Sequence, residues 1–91
     1  MNKNPSNDVF VVGTARTAIG TFGGALKDVA NSTLATTVVR AALARSSVPA
    51  DDVGLLVMGN VIPTEPRDAY LSRIAAMDAG CPKETTAFNV N

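Results

Sequence analysis

The apolar residues of this chain fall into short blocks of two kinds. DVFVVG, residues 8–13, is a near-continuous run of β-branched and aromatic side chains closed by Gly13. A run without polar alternation predicts a strand buried on both faces, as in parallel sheets. GLLVMGNV, residues 54–61, has the same character after the short acidic turn ADD, and TAFNV, residues 86–90, reads as a third strand.

The other blocks repeat at helical spacing. Over residues 31–46, Leu34, Val38, Ala41 and Ala42 form one stripe, widened by Val39 and Leu43, while Arg40 and Arg45 occupy a more polar side. Asn31 or Ser32 is expected to cap this helix, and Pro49 to end it. So broad an apolar face calls for burial against a sheet. A second helix is expected over residues 66–79, since proline is tolerated in a first helical turn. Leu71, Ile74, Ala75 and Asp78 share its stripe, with Tyr70 and Met77 beside them. Gly80 suits its C-terminal cap, and Pro82 stands just beyond. Residues 14–29, with Gly20, Gly23 and Gly24, predict a long irregular connection. The order strand, helix, strand, helix, strand is that of an α/β protein. Its simplest form is a parallel β-α-β-α-β half-sheet with right-handed crossovers and helices covering it. The proline-rich loop before the second helix leaves room for a ligand or partner.

Composition narrows the chemistry. A chain of 91 residues makes one small domain at most. Eight basic and eight acidic residues cancel, and like charges do not cluster. Such a surface argues against nucleic acid and anionic membranes as partners. The polar start MNKNPSND lacks a signal-peptide core, and no apolar run approaches a membrane span, so a cytoplasmic protein is expected. One cysteine excludes an internal disulfide and a cysteine-rich zinc site. The chain contains no histidine, so neither a Ser-His-Asp triad nor a Cys-His pair can be assembled from it.

The individual motifs are mostly structural in character. The glycines after the first strand fit neither G-x-x-x-x-G-K-[ST] nor G-x-G-x-x-G, so a nucleotide loop is not expected. Arg16 in GTARTAIG could contact an anionic ligand, but an ion pair or carbonyl clamp that fixes the loop is the expected role. Arg67-Asp68 and Arg73-Asp78 resemble solvated charges or a subunit contact, and the sequence does not choose between them. Cys81 lies just past a helix C-terminus, where the helix dipole disfavours a thiolate. It is expected to be a small packing residue, with Lys83 as the one nearby cation.

The strand followed by ARTAIGTFGGALKDV resembles the amino-terminal signature of thiolases, with Ala18 in place of the usual proline. ALARSSVPADDV, the strand carrying GNV, RIAAMDAGCP and TAFNVN follow in the family's order, so the resemblance runs from Asp8 onward. TEPRDAYLSRIAA is similar to the broad-specificity β-ketothiolases of polyhydroxyalkanoate-making bacteria. The resemblance implies a thiolase-like fold of which residues 1–91 are an incomplete part. The remainder of the N-terminal domain and a similar C-terminal domain would complete it. It also implies condensation of an acyl-CoA with acetyl-CoA to a 3-ketoacyl-CoA, or the thiolytic reverse. The substrates would be coenzyme A thioesters, with no metal or further cofactor, in a homodimer or homotetramer. The family uses two cysteines and a histidine, the nucleophile lying in an N-R-L-C-G-S-G type segment directly after the third strand. Asn91 matches the first residue of that segment. No family catalytic or CoA-binding residue therefore transfers onto residues 1–91. The rivals are a non-catalytic structural or interaction domain and a ketoacyl-synthase-type condensing enzyme, which shares the fold.

Overall fold

A computed structural model describes residues 7–91. Helix α1 spans Asn31–Ser46, strand β1 Leu55–Gly59, helix α2 Leu71–Asp78 and strand β2 Thr86–Val90. Short 3-10 turns at Ala50–Asp52 and Pro66–Tyr70 lead into β1 and α2 respectively. The two strands pair in parallel, from Leu55 opposite Thr86 to Gly59 opposite Val90. Asn60 N–H extends the ladder by donating to the Val90 carbonyl at 2.9 Å.

Side chains alternate across this small sheet, so only one face is covered. Leu56 and Met58 turn inward and pack against Ala35, Leu71 and Ala75. Leu55, Val57, Phe88 and Val90 point the other way and are exposed. The helices meet through small residues, which let their backbones come close. Ser32, Ala35 and Thr36 of α1 are buried, as are Ser72, Ala75 and Ala76 of α2. The expected α1 stripe is therefore displaced. Leu34 and Val38 line a half-open groove with Met58 and Leu71, and the most buried positions are smaller neighbours.

Helix α1 matches its expected bounds, but its cap differs. Ala30 is the N-cap residue and supplies no side-chain bond, while Asn31 lies inside the helix and spends its amide elsewhere. At the other end Ser47 takes the left-handed conformation, φ 57°, and Val48 N–H returns to the Leu43 carbonyl at 3.1 Å. The expected second helix is two pieces. Tyr70, the last residue of the 3-10 turn, takes φ −121° and interrupts it before α2.

The first expected strand has no ladder. Among the described residues nothing pairs with residues 8–13, and Val9, Phe10, Val11 and Val12 are 95%, 72%, 86% and 63% exposed. A strand exists through its neighbours, and an apolar run without a partner at its edge stays irregular. Only its end is tied down. Gly13 passes so close to α1 that a Cβ there would fall 2.8 Å from Ser46 Cβ, and Arg45 donates to the Thr14 carbonyl at 3.1 Å. Residues 14–29 are the expected irregular connection, closed by turns such as Gly24 N–H to Thr21 O at 2.9 Å.

Candidate functional site

In an open parallel sheet, ligands gather beyond the carboxyl ends of the strands. Here that edge holds the loop leaving β1, the 3-10 turn, the first turn of α2 and the last residues of β2. A single buried carboxylate joins them. Asp68 is fully shielded from solvent. Its Oδ2 accepts from Thr64 N–H at 2.6 Å, Thr64 Oγ1 at 2.7 Å, Asn31 Nδ2 at 3.0 Å and Glu65 N–H at 3.3 Å. The local sequence explains the start of this arrangement. Glu65 and Asp68 form a reciprocal capping box, and Pro66 takes the helical position that needs no N–H donor. The donors of Thr64, first its backbone N–H and then its hydroxyl, hold the Asp68 carboxyl below the usual carboxylate range, against the opposing effect of burial. Its other oxygen, Oδ1, is buried and meets no donor among the described residues.

Asn89 is the counterpart on β2. Its Oδ1 accepts from Ser72 N–H at 2.9 Å, and its Nδ2 donates to the carbonyls of Ala69 at 3.1 Å and Asp68 at 3.3 Å. Helix α2 has no capping side chain of its own at its start. A strand residue therefore satisfies one of its orphan amides, which welds the end of β2 to the beginning of α2. Asp68 meets α1 through Asn31 and the β1 loop through Thr64. Four elements converge on one junction.

The opposite end of α2 is built for closure. Gly80 is left-handed at φ 92°, its N–H reaches the Met77 carbonyl at 3.1 Å, and Cys81 N–H reaches Ala76 O at 2.9 Å. This is a Schellman cap, and Cys81 occupies the position that folds back onto the helix. It is 7% exposed, and burial, with Asp51 as a lesser cause, pushes the thiol pKa up. A neutral, covered thiol is a poor nucleophile. Cys81 is thus the packing residue that its position predicts.

The charged residues separate into different roles. The solvated reading of Asp68 is overturned, because four donors compensate its burial. Arg73 is no free surface charge either. It donates to the carbonyls of Thr85 at 2.9 Å and Lys83 at 3.0 Å, clamping the turn before β2. Arg67 and Asp78 approach to 4.0 Å with both side chains more than half exposed, a contact of little energetic weight. Arg16 is exposed and donates only to the neighbouring Thr17 carbonyl at 3.2 Å, so it fixes nothing distant. The clamp expected of it belongs to Arg45. Asp68 and Asn89 were missed as a pair. A signal for the first stands in T-E-P-R-D, where Glu65-x-x-Asp68 brackets Pro66. Nothing local marks the second.

The model of the thiolase N-terminal domain matches residues 9–91. The chain is 57% identical over 86 residues to the beta-ketothiolase BktB of Cupriavidus necator, covering 94% of this chain and 22% of that protein. Mitochondrial 3-ketoacyl-CoA thiolase of Homo sapiens is 39% identical over 83 residues, covering 91% and 21%. The crystal structure of the human mitochondrial 3-ketoacyl-CoA thiolase superposes with a TM-score of 0.87 at 38% identity, over 90% of this chain and 21% of that one. A second structure of that enzyme, in complex with CoA, gives a TM-score of 0.82 at 36% identity, over 88% and 21%. The chain thus spans about a fifth of the length of the relatives it matches.

Proposed function

Because the chain belongs to the thiolase family, through the N-terminal domain matched over residues 9–91, we propose that it serves an acyl-CoA C-acyltransferase. In a complete thiolase containing this segment, an acyl-CoA condenses with acetyl-CoA to a 3-ketoacyl-CoA, or the 3-ketoacyl-CoA is cleaved by coenzyme A. Residues 1–91 are then part of the N-terminal domain, and coenzyme A thioesters are the substrates, with no metal or further cofactor. The assembly is a homodimer or homotetramer, and the compartment is cytoplasmic. The β-ketothiolase branch, of the kind that supplies polyhydroxyalkanoate synthesis, is favoured by the 57% identity to the Cupriavidus necator protein.

One observation carries this reading: the likeness extends through both helices and both strands to the carboxyl ends of the sheet, where Asp68 and Asn89 hold the loops in place. The residues 7–91 contribute binding framework and orientation. Their one thiol is covered, and their one fully buried carboxylate is committed to four donors. The nucleophile, its histidine partner and the second cysteine then come from the rest of the thiolase.

The test is CoA-dependent cleavage of acetoacetyl-CoA by the full-length protein, with the 91-residue chain as the comparison. The full-length protein should turn over and the short chain should not. A folded full-length protein that neither cleaves 3-ketoacyl-CoA nor condenses acetyl-CoA would show the non-catalytic reading to be the right one.

A further inference from the structure

We propose that Asp68 and Asn89 are positioning residues of the thiolase reaction, locking the exit of β2 to the loop after β1 through one hydrogen-bonded junction centred on the buried Asp68 carboxylate. This inference rests on the reading of the chain as a thiolase segment and goes beyond it by naming which residues of that segment govern turnover.

Asn89 precedes Val90 and Asn91, so its side chain fixes the strand two residues before the described chain ends. Its amide is used at both ends. Oδ1 takes a helix N-terminal N–H from Ser72, and Nδ2 bridges two consecutive carbonyls of the 3-10 turn. An amide held on three backbone groups cannot rotate without breaking all of them. The turn it grips is itself set by Asp68, whose Oδ2 draws Thr64, Glu65 and Asn31 to one point. The loop after β1 and the exit of β2 are therefore not independent. A shift at either reaches the other through Asp68.

The apolar side chains next to the junction add little packing of their own within residues 7–91. Beyond the carboxyl ends, Val61 and Ile62 are 77% and 74% exposed, and Val90 is 51% exposed. Within residues 7–91, the polar junction is what ties these loops to one another. Reacting groups placed on such loops are sensitive to small errors, since a misplacement of about 1 Å can cost on the order of a hundredfold in rate. Neither residue touches substrate in this account. Each acts by holding backbone.

The test uses the full-length enzyme and four variants. Asn89→Asp keeps the acceptor for Ser72 but replaces the donor facing the two carbonyls with a repelling oxygen, and Asn89→Ala removes both. Asp68→Asn keeps an acceptor oxygen for the four donors, and Asp68→Ala does not. Positioning predicts that kcat for thiolysis falls about 10- to 100-fold in Asn89→Asp, Asn89→Ala and Asp68→Ala, while the KM for CoA moves less than about threefold. Asp68→Asn should recover most of the kcat lost in Asp68→Ala. Activity losses that merely track the unfolded fraction of each variant would overturn the proposal. So would wild-type kcat in folded Asn89→Asp. Amide hydrogen exchange on the same samples supplies a readout that needs no activity. Protection should drop at residues 60–72 and from residue 86 onward, including the residues after Asn91, while α1 beyond its first turn keeps its own. Loss spread evenly over α1, or none at the junction, contradicts the inference. If the wild-type protein lacks thiolase activity, the functional reading falls, and hydrogen exchange still decides whether the junction couples the two loops.

Discussion

The two ends of α2 share one helix and have opposite characters. At its start the buried carboxylate of Asp68, the side-chain amides of Asn31 and Asn89 and a threonine converge. At its end a glycine cap folds the chain back and covers a thiol. The thiol is the residue whose chemistry invites attention, yet its site is one of packing alone. The aspartate reads as surface charge, yet it ties four elements together at the edge where a parallel α/β sheet keeps its function. Residue type suggests chemistry, and environment decides it. A buried acceptor with four donors is a structural node, and a covered thiol with a raised pKa is a small hydrophobe.

This contrast can be broken from either side. The largest effect is expected at the junction, where Asp68→Ala strands four donors and should lower the thermal midpoint more than any other change considered. Leu71→Ala, in the first turn of α2 and in the core between helices and sheet, should cost about 2–3 kcal/mol by denaturant unfolding. At the other end Cys81→Ala should cost only about 1 kcal/mol, a packing loss in the same assay. Smaller still, and of opposite sign, Ser47→Gly should stabilise by about 0.5–1 kcal/mol, because glycine takes φ 57° without a Cβ penalty.

Acid and alkali separate the two ends in a second way. The Asp68 pKa is lowered in the folded state, so its contribution is present above the unfolded carboxylate pKa of about 4 and is lost as pH falls through the folded value. The Cys81 pKa is raised, so its contribution is present below the unfolded thiol pKa of about 8.5 and is lost as pH rises through the folded value. Melting curves should therefore show an acid limb that Asp68→Asn flattens and an alkaline limb that Cys81→Ala flattens. An unchanged acid limb in Asp68→Asn would remove the carboxylate from its assigned place.

Much of this was legible in the sequence, for identifiable reasons. Helix α1 and strand β2 fall on their expected bounds because Pro49 and the turn before Thr86 punctuate them clearly. The Gly80 cap and the covered Cys81 follow from spacing alone. What escaped reading depends on partners distant in sequence. DVFVVG has the pattern of a buried strand, but pairing is not encoded within the run. Asn31 looks like a cap, and its amide is drawn away by Asp68, which lies 37 residues on. Asn89 sits inside a strand whose alternation hides it, and only the fold shows that its side chain completes a helix start. The thiolase likeness supplied the family without revealing this junction.

The most direct measurement compares the two ends of α2 in one assay: kcat for acetoacetyl-CoA thiolysis by full-length Asn89→Asp and Cys81→Ala, each checked for folding. The account predicts that Cys81→Ala stays within about threefold of wild type while Asn89→Asp falls about 10- to 100-fold. A folded Cys81→Ala that loses several orders of magnitude, beside an Asn89→Asp that loses none, would contradict it.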